Sequence, residues 1–163
     1  MPTLEEYAKH PVAERLKRLE RTADELAAAV RGHSDAILSR RPDAKNWAAK
    51  EVICHLRDIE EFFMGRFAQI MAMDEPKFLP VTPDRWAEER QYLRNDAEAA
   101  LEAFRKRRQE SLAFFATLTP EQWRRGGIHP ARGRMTTDDI VALLAHHDDI
   151  HLDQLTRALE GRA

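Results

Sequence analysis

Cysteine is nearly absent from this chain. A single residue, Cys54, stands among 163, so no intrachain disulfide framework holds the fold together. It follows Ile53 inside an apolar helical run, the setting of a buried structural thiol rather than a reactive one. Glycine is scarce as well, with 6 residues, and the 8 prolines fall at segment edges. Strand signals are few. No apolar run approaches the roughly 20 residues that a membrane-spanning helix needs, and the opening MPTLEEYAKH is too polar for a secretory signal. The expectation is a cytoplasmic protein with no membrane partner. Neither sign of charge dominates: 26 Lys and Arg stand against 28 Asp and Glu, a net charge of -2. A nucleic-acid binder would show a basic patch on a basic domain, so no nucleic-acid partner is expected. The basic residues, mostly Arg, are interleaved with acids and read as solvated helix faces.

What the chain does have is helical periodicity. Its length suits one domain spanning residues 1–163. A first long helix is expected over 11–31, with Pro11 in its first turn, a stripe of Val12, Leu16, Leu19, Ala23, Leu26 and Val30, and Gly32 as its stop. A second runs from about 48 to 73, with Asn46 as a candidate cap and Val52, Leu56, Ile59, Phe63, Phe67 and Ile70 as its buried face. The loop DEPKFLPVTPDRW, with Pro76, Pro80 and Pro83, is too long for a simple bundle turn and reads as a crossover. A third helix starts near 86 or 95 and ends near 118, marked by Ala97, Leu101, Phe104, Leu112 and Phe115. A short helical turn follows, then a region around Gly126, Gly127 and Gly133 that reads as a loop or a two-stranded excursion. The fourth helix starts after Thr136 or Thr137, with Asp138 and Asp139 in its first turn, and runs to Glu160. The expected fold is all-α, a four-helix bundle with a long crossover connection between helices 2 and 3.

The chemistry lies in HHDDIHLDQL, residues 146–155. The apolar face of the last helix is read as Ile140, Leu143, Leu144, Ile150 and Leu155. Positions 140, 144, 147, 151, 155 and 158 form one stripe, so His147 and His151 sit one above the other on it. His146 falls at its edge. Two neutral imidazoles buried side by side are costly without partners. Hydrogen bonding within a core or rim pair meets that need; so does a divalent metal taking one nitrogen from each ring. His55, between Val52 and Ile59 on the buried face of the second helix, is a candidate third ligand. Three protein nitrogens from two helices leave a coordination position open to water or substrate. The remaining histidines, His10, His33 and His129, lie at helix ends or in loops, and His129 lines the site only if its loop folds over the bundle end. Asp58, one turn beyond His55, is a candidate to orient a ligand ring or a surface acid paired with Arg57 or Arg66. Gln154, one turn past His151, is a candidate to touch the site or the substrate. Arg90 and Tyr92 are candidates for the pocket mouth, and Trp47 and Trp86 for packing.

The stretch WAAKEVICHLRDI, from Trp47 to Ile59, resembles the W-x-x-x-E-(apolar)-(apolar)-x-H-L-x-D motif of the DinB-like superfamily. HDDIHLDQ, from His147 to Gln154, resembles that superfamily's H-x-x-x-H-x-x-Q motif. Order, spacing and helical context match over nearly the whole chain. The resemblance implies a four-helix bundle with a divalent metal, zinc or nickel, on His55, His147 and His151. It also implies a homodimer and a small-molecule substrate. Characterised relatives include transferases and isomerases that use a low-molecular-weight thiol such as bacillithiol, mycothiol or glutathione. The working expectation is a metal-dependent thiol-S-transferase or hydrolase, with Asp58 and Gln154 as the further catalytic candidates. The alternative is a non-catalytic, stress-linked binding or scaffold protein whose metal is structural or vestigial. Two other metal sites fail on spacing. An HD-type phosphohydrolase leaves His151 unexplained and sets Asp148 about 100° from His147. A di-iron carboxylate bundle needs Glu-x-x-His, whereas Glu51 and His55 are four apart.

Overall fold

A computed structural model describes all 163 residues. Four long helices carry the fold: α2 (Val12–Val30), α4 (Ala49–Ala72), α6 (Ala97–Ala116) and α8 (Thr137–Leu159). Four short ones join them: α1 (Leu4–Lys9), α3 (Asp35–Leu38), α5 (Pro83–Glu89) and α7 (Pro120–Arg124). A 3-10 turn at Tyr92–Arg94 and a hairpin of β1 (Gly126–His129) and β2 (Gly133–Thr136) complete the chain. In the bundle α4 packs against α6 and α8, and α2 packs against the same two helices. The all-α reading, with a long crossover between the second and third long helices, describes this architecture.

Each helix forms for a local reason. The Thr136 hydroxyl accepts the Asp139 N–H at 3.1 Å, and the Asp139 carboxylate accepts the Thr136 N–H at 2.9 Å. That reciprocal box satisfies two orphan donors at the start of α8. At α4 the cap is not Asn46. The side-chain amide and backbone N–H of Asn46 are spent on Asp43. The helix starts after Ala48, whose N–H is accepted by Glu51 at 2.9 Å. The apolar stripes then bury as spaced: Leu19 and Leu26 of α2, Val52, Leu56, Phe67 and Ile70 of α4, Phe104 and Phe115 of α6, and Ile140, Leu144 and Leu155 of α8. Each such side chain contributes on the order of 2 kcal/mol by leaving water. Ile150 does not belong to the stripe; at 39% it is among the exposed large apolar residues. Cys54 is buried as expected, and burial raises its thiol to about 11.

The crossover is pinned at two points. Phe78 donates its N–H to the Ile128 carbonyl at 2.9 Å, and Ile128 donates to the Pro76 carbonyl at 2.8 Å, so the segment docks on β1. That approach requires glycine at 127: a Cβ there would lie 2.3 Å from the Phe78 ring and 2.7 Å from the Pro76 carbonyl oxygen. Further on, Asp58 of α4 accepts from Arg90 at 2.6 Å and from the Tyr92 hydroxyl at 3.0 Å.

The basic residues are not all solvated helix faces. Arg15, Arg18, Lys50, Arg66 and Arg108 are buried. Arg108 of α6 ties together all four long helices. It donates to Glu60 of α4 at 3.0 and 2.8 Å, to Asp148 of α8 at 2.6 and 3.2 Å, and to the Leu19 carbonyl of α2 at 2.8 Å. The Thr22 hydroxyl of α2 donates to the same Asp148 carboxylate. The two carboxylates push the Arg108 guanidinium well above its ordinary value, outweighing the opposing effect of its burial. Periodicity carries the signal for this network. Arg108 follows Phe104 by four, Glu60 follows Leu56 by four, and Asp148 follows Leu144 by four, so each is a charge on an apolar stripe.

Candidate metal centre

Helices α4 and α8 bring His55, His147 and His151 into one cluster. The His147 Nε2 atom lies 3.2 Å from the His55 Nε2 atom and 3.0 Å from the His151 Nε2 atom. Neighbouring ring centroids are 4.2 to 5.2 Å apart. His55 is buried; His147 and His151 are half-buried, because part of each ring faces a cavity of about 320 Å³ lined also by Trp47, Ile59, Phe63 and His129.

Protons alone do not satisfy this cluster. The His151 Nδ1 atom is 2.7 Å from the Gln154 Oε1 atom. An amide oxygen only accepts, so Nδ1 carries the proton and the His151 Nε2 lone pair is left free. His147 Nε2 carries either one hydrogen or one lone pair, and it meets two other nitrogens. If it donates to His151, it has nothing with which to accept from His55; if it accepts from His55, it faces His151 lone pair to lone pair. Charging the rings is no remedy. Burial, then the neighbouring His151, pushes His55 down to about 3. His147 falls well below the ordinary histidine value for the same causes, and His151 is lowered by burial. All three are neutral near pH 7 and offer lone pairs.

The two edges of this donor set that meet at His147 have the length that one divalent ion imposes. Two nitrogens each about 2.1 Å from one ion are about 3.0 Å apart at an octahedral angle and about 3.4 Å apart at a tetrahedral one. The observed 3.2 and 3.0 Å fall in and at the edge of that range. The Nδ1 atoms of His55 and His147 are sealed from solvent without a protein acceptor, so Gln154 supplies the one hydrogen bond from outside the cluster that orients a ring within it.

The other candidates divide. Asp58 does not touch the cluster. Its carboxylate is engaged by Arg57 at 2.6 Å as well as by Arg90 and Tyr92, so it pairs with Arg57, but as a buried acid rather than a surface one, and it orients no ring. Arg90 lies over the Trp86 ring at 4.4 Å, and Arg90 and Tyr92 brace Asp58 rather than line the cavity. His129 does line the cavity, because β1 folds over that side of α4. His146 turns away and meets the Pro2 carbonyl at 3.1 Å. Asp148 is held by Arg108, which closes the HD reading. Trp47 packs 5.0 Å from His55 and nearly parallel to His151 at 6.3 Å, forming one wall of the site. A larger cleft of about 610 Å³ lies along α1, α2 and α8. Its polar groups Tyr7 and Arg18 are already paired with Asp149, and it holds none of the three histidines.

The sequence profile of the DinB superfamily matches residues 18–155. The chain belongs to the DinB superfamily. Two similar proteins are provisionally named metal-dependent hydrolases. One is YfiT of Bacillus subtilis (strain 168), 25% identical over 145 residues, covering 86% of this chain and 82% of YfiT. The other is OB0413 of Oceanobacillus iheyensis, 23% identical over 158 residues, covering 93% of this chain and 87% of that one. The solved structure of Bacillus subtilis YfiT, described as a four-helix bundle of unusual topology, superposes with a TM-score of 0.84 at 22% identity, covering 100% of this chain and 92% of that one. The fold is thus shared with that structure over the length of this chain. No helix of this member is long and apolar enough to cross a membrane.

Proposed function

We propose that this protein is a metal-dependent enzyme that holds one divalent ion, zinc or nickel, on His55, His147 and His151. Its reaction is attack of an activated water or low-molecular-weight thiol on a small electrophilic substrate. The observation that carries the reading is the convergence of three neutral imidazole nitrogens beside an open cavity. The names of the similar proteins favour hydrolysis as the reaction class; thiol transfer is the finer reading and rests on the family resemblance. A homodimer and a cytoplasmic location belong to the same reading.

A divalent ion there would supply Lewis acidity and bring the pKa of a bound water or thiol toward neutrality. The protein's own part is positional. Gln154 holds the Nδ1 proton of His151, which keeps the Nε2 lone pair directed at the cluster. Burial keeps His55 and His147 unprotonated. Trp47, Ile59 and Phe63 form an apolar wall that excludes bulk water and packs on the substrate. His129, lowered by burial first, accepts the Ala131 N–H on Nδ1 at 3.1 Å. Its proton therefore sits on Nε2, where a neutral donor lines the cavity. The open cavity beside the histidines is what favours catalysis over a purely structural metal.

The test is a rate measurement on protein stripped with a chelator and reloaded with zinc or nickel. Hydrolysis of an aryl ester and conjugation of bacillithiol, mycothiol or glutathione to an aryl halide are followed in parallel. Rates that return with the metal and vanish in His147→Ala support the reading. Rates indifferent to metal, or absent for every substrate in fully loaded protein, favour the non-catalytic scaffold.

A further inference from the structure

The cavity beside the histidines has a cation that the proposed metal chemistry does not use. Of the five buried basic side chains, four have carboxylate partners: Arg15 with Asp138, Arg18 with Asp149, Lys50 with Asp35, and Arg108 with Glu60 and Asp148. Arg66 has none. It is 4% exposed and lines the same cavity as His55, His147 and His151. One of its terminal nitrogens donates to the Leu79 carbonyl at 2.8 Å. Its Nε is sealed from solvent and bonded to nothing. The rings of Phe62, Phe63 and Phe78, 4.6, 5.0 and 5.1 Å away, offset part of the charge. Burial pulls the guanidinium down to about 10, so it remains a cation at neutral pH. His129 beside it is neutral.

A buried charge without a counter-ion is costly, and a guanidinium is a fork shaped for an oxyanion. Arg66 follows His55 by eleven residues on α4, about three turns or about 16 Å along the axis, on the same face. Ile59 and Phe63 of the cavity lining lie between them. The cavity thus offers three lone-pair donors at one end, an apolar middle and one positive charge at the other.

We infer that Arg66 is the receptor for a carboxylate at the far end of the substrate, which is a small molecule with an apolar body whose reacting group lies at the histidines. A single cation matches a monoanion. A phosphate monoester, close to doubly charged at neutral pH, would find half of its charge unmatched. Only the placement of the reacting group rests on the metal-site reading; the carboxylate contact does not.

The test uses calorimetric titration with hexanoate, 1-hexanol and hexyl phosphate. It is run on chelator-stripped and on metal-loaded protein, for wild type, Arg66→Met and Arg66→Lys, with metal content measured on each sample. Hexanoate is expected to bind wild type roughly tenfold or more tightly than 1-hexanol in both metal states, the size of one charge-assisted contact. Arg66→Met should abolish that preference while leaving hexanol binding unchanged, and Arg66→Lys should keep part of it. The proposal is overturned if wild type does not prefer hexanoate, or if the preference survives in Arg66→Met. A preference confined to metal-loaded protein also overturns it, since the carboxylate then sits on the metal. Tighter binding of hexyl phosphate overturns the choice of carboxylate. Absence of metal with the preference intact in stripped protein would remove the metal reading and leave this one standing. If Arg66→Met fails to fold, Arg66→Lys carries the comparison.

Discussion

Replacing Arg108 with Met isolates what its buried charge does. The variant keeps the volume and the packing over Phe104, whose ring lies 4.9 Å from the guanidinium. It deletes six hydrogen bonds: two to Glu60, two to Asp148, one to the Leu19 carbonyl and a long one to the Thr22 hydroxyl. The larger effect is what remains. Glu60 and Asp148, 1% and 0% exposed, lose their shared counter-charge, although Thr22 still donates to Asp148. Removing one partner of a buried pair costs about 3–5 kcal/mol. A stranded carboxylate limits that cost by taking up a proton on folding, which consumes about 1.4 kcal/mol per pH unit above the range where unfolded carboxylates titrate, near pH 4. The folded variant then binds more protons than its unfolded chain, so its stability falls as pH rises. The deficit relative to wild type should therefore be largest near pH 8 and shrink by about 3 kcal/mol or more on moving to pH 5. Urea unfolding of both proteins at pH 5, 6.5 and 8, without metal, measures it. Subtracting wild type at each pH cancels what the histidines contribute equally in both proteins, which leaves only the part of the His147 lowering that Arg108 itself supplies. Adding Glu60→Gln and Asp148→Asn to the variant should flatten the profile. A deficit under 1 kcal/mol, or one that does not change with pH, would refute the reasoning.

Three further outcomes follow from the same geometry. Gln154→Leu removes the acceptor that fixes the His151 tautomer and should weaken metal affinity about 10–100-fold, read by competition with a chelating dye, with little change in fold by circular dichroism. In metal-free protein, His55 stays neutral in the fold down to about pH 3, while unfolded histidine takes up its proton near 6.5. That contribution is thus complete above pH 6.5 and lost as pH falls; His55 alone should cost about 2 kcal/mol between pH 6.5 and 5, visible as a falling melting temperature. Gly127→Ala drives a methyl into the Phe78 ring and should lower the melting temperature by several degrees through release of the crossover, whereas alanine at Gly65, which has open space around it, should not.

The four long helices are legible because each carries an apolar stripe at the helical period, and that period also puts His55, His147 and His151 on inward faces. Ile150 fails because it lies off the stripe that His147 and His151 extend. Three of the short helices are illegible for a different reason. α1, α3 and α5 are held by single caps or by distant contacts such as the Tyr7 hydroxyl on Asp149, which leave no local period. Asn46 has the chemistry of a helix cap, but its amide is held by Asp43 and the helix begins beyond its reach, after Ala48. Asp58 and Gln154 each stand three residues after a histidine, so sequence spacing treats them alike. The fold separates them, because Arg57, Arg90 and Tyr92 converge on Asp58 while nothing competes for Gln154. Charge composition makes Arg108 and Arg66 look solvated because it averages over position; their places on apolar stripes mark them as buried.

The central claim is that three histidines hold one metal. Elemental analysis of untagged protein, wild type beside His55→Ala, His147→Ala and His151→Ala, tests it most directly. About one equivalent of zinc or nickel is expected in wild type, with its loss in each variant and the helical content unchanged. Wild-type protein that neither carries a divalent metal nor takes one up, or variants that retain it, would contradict the account.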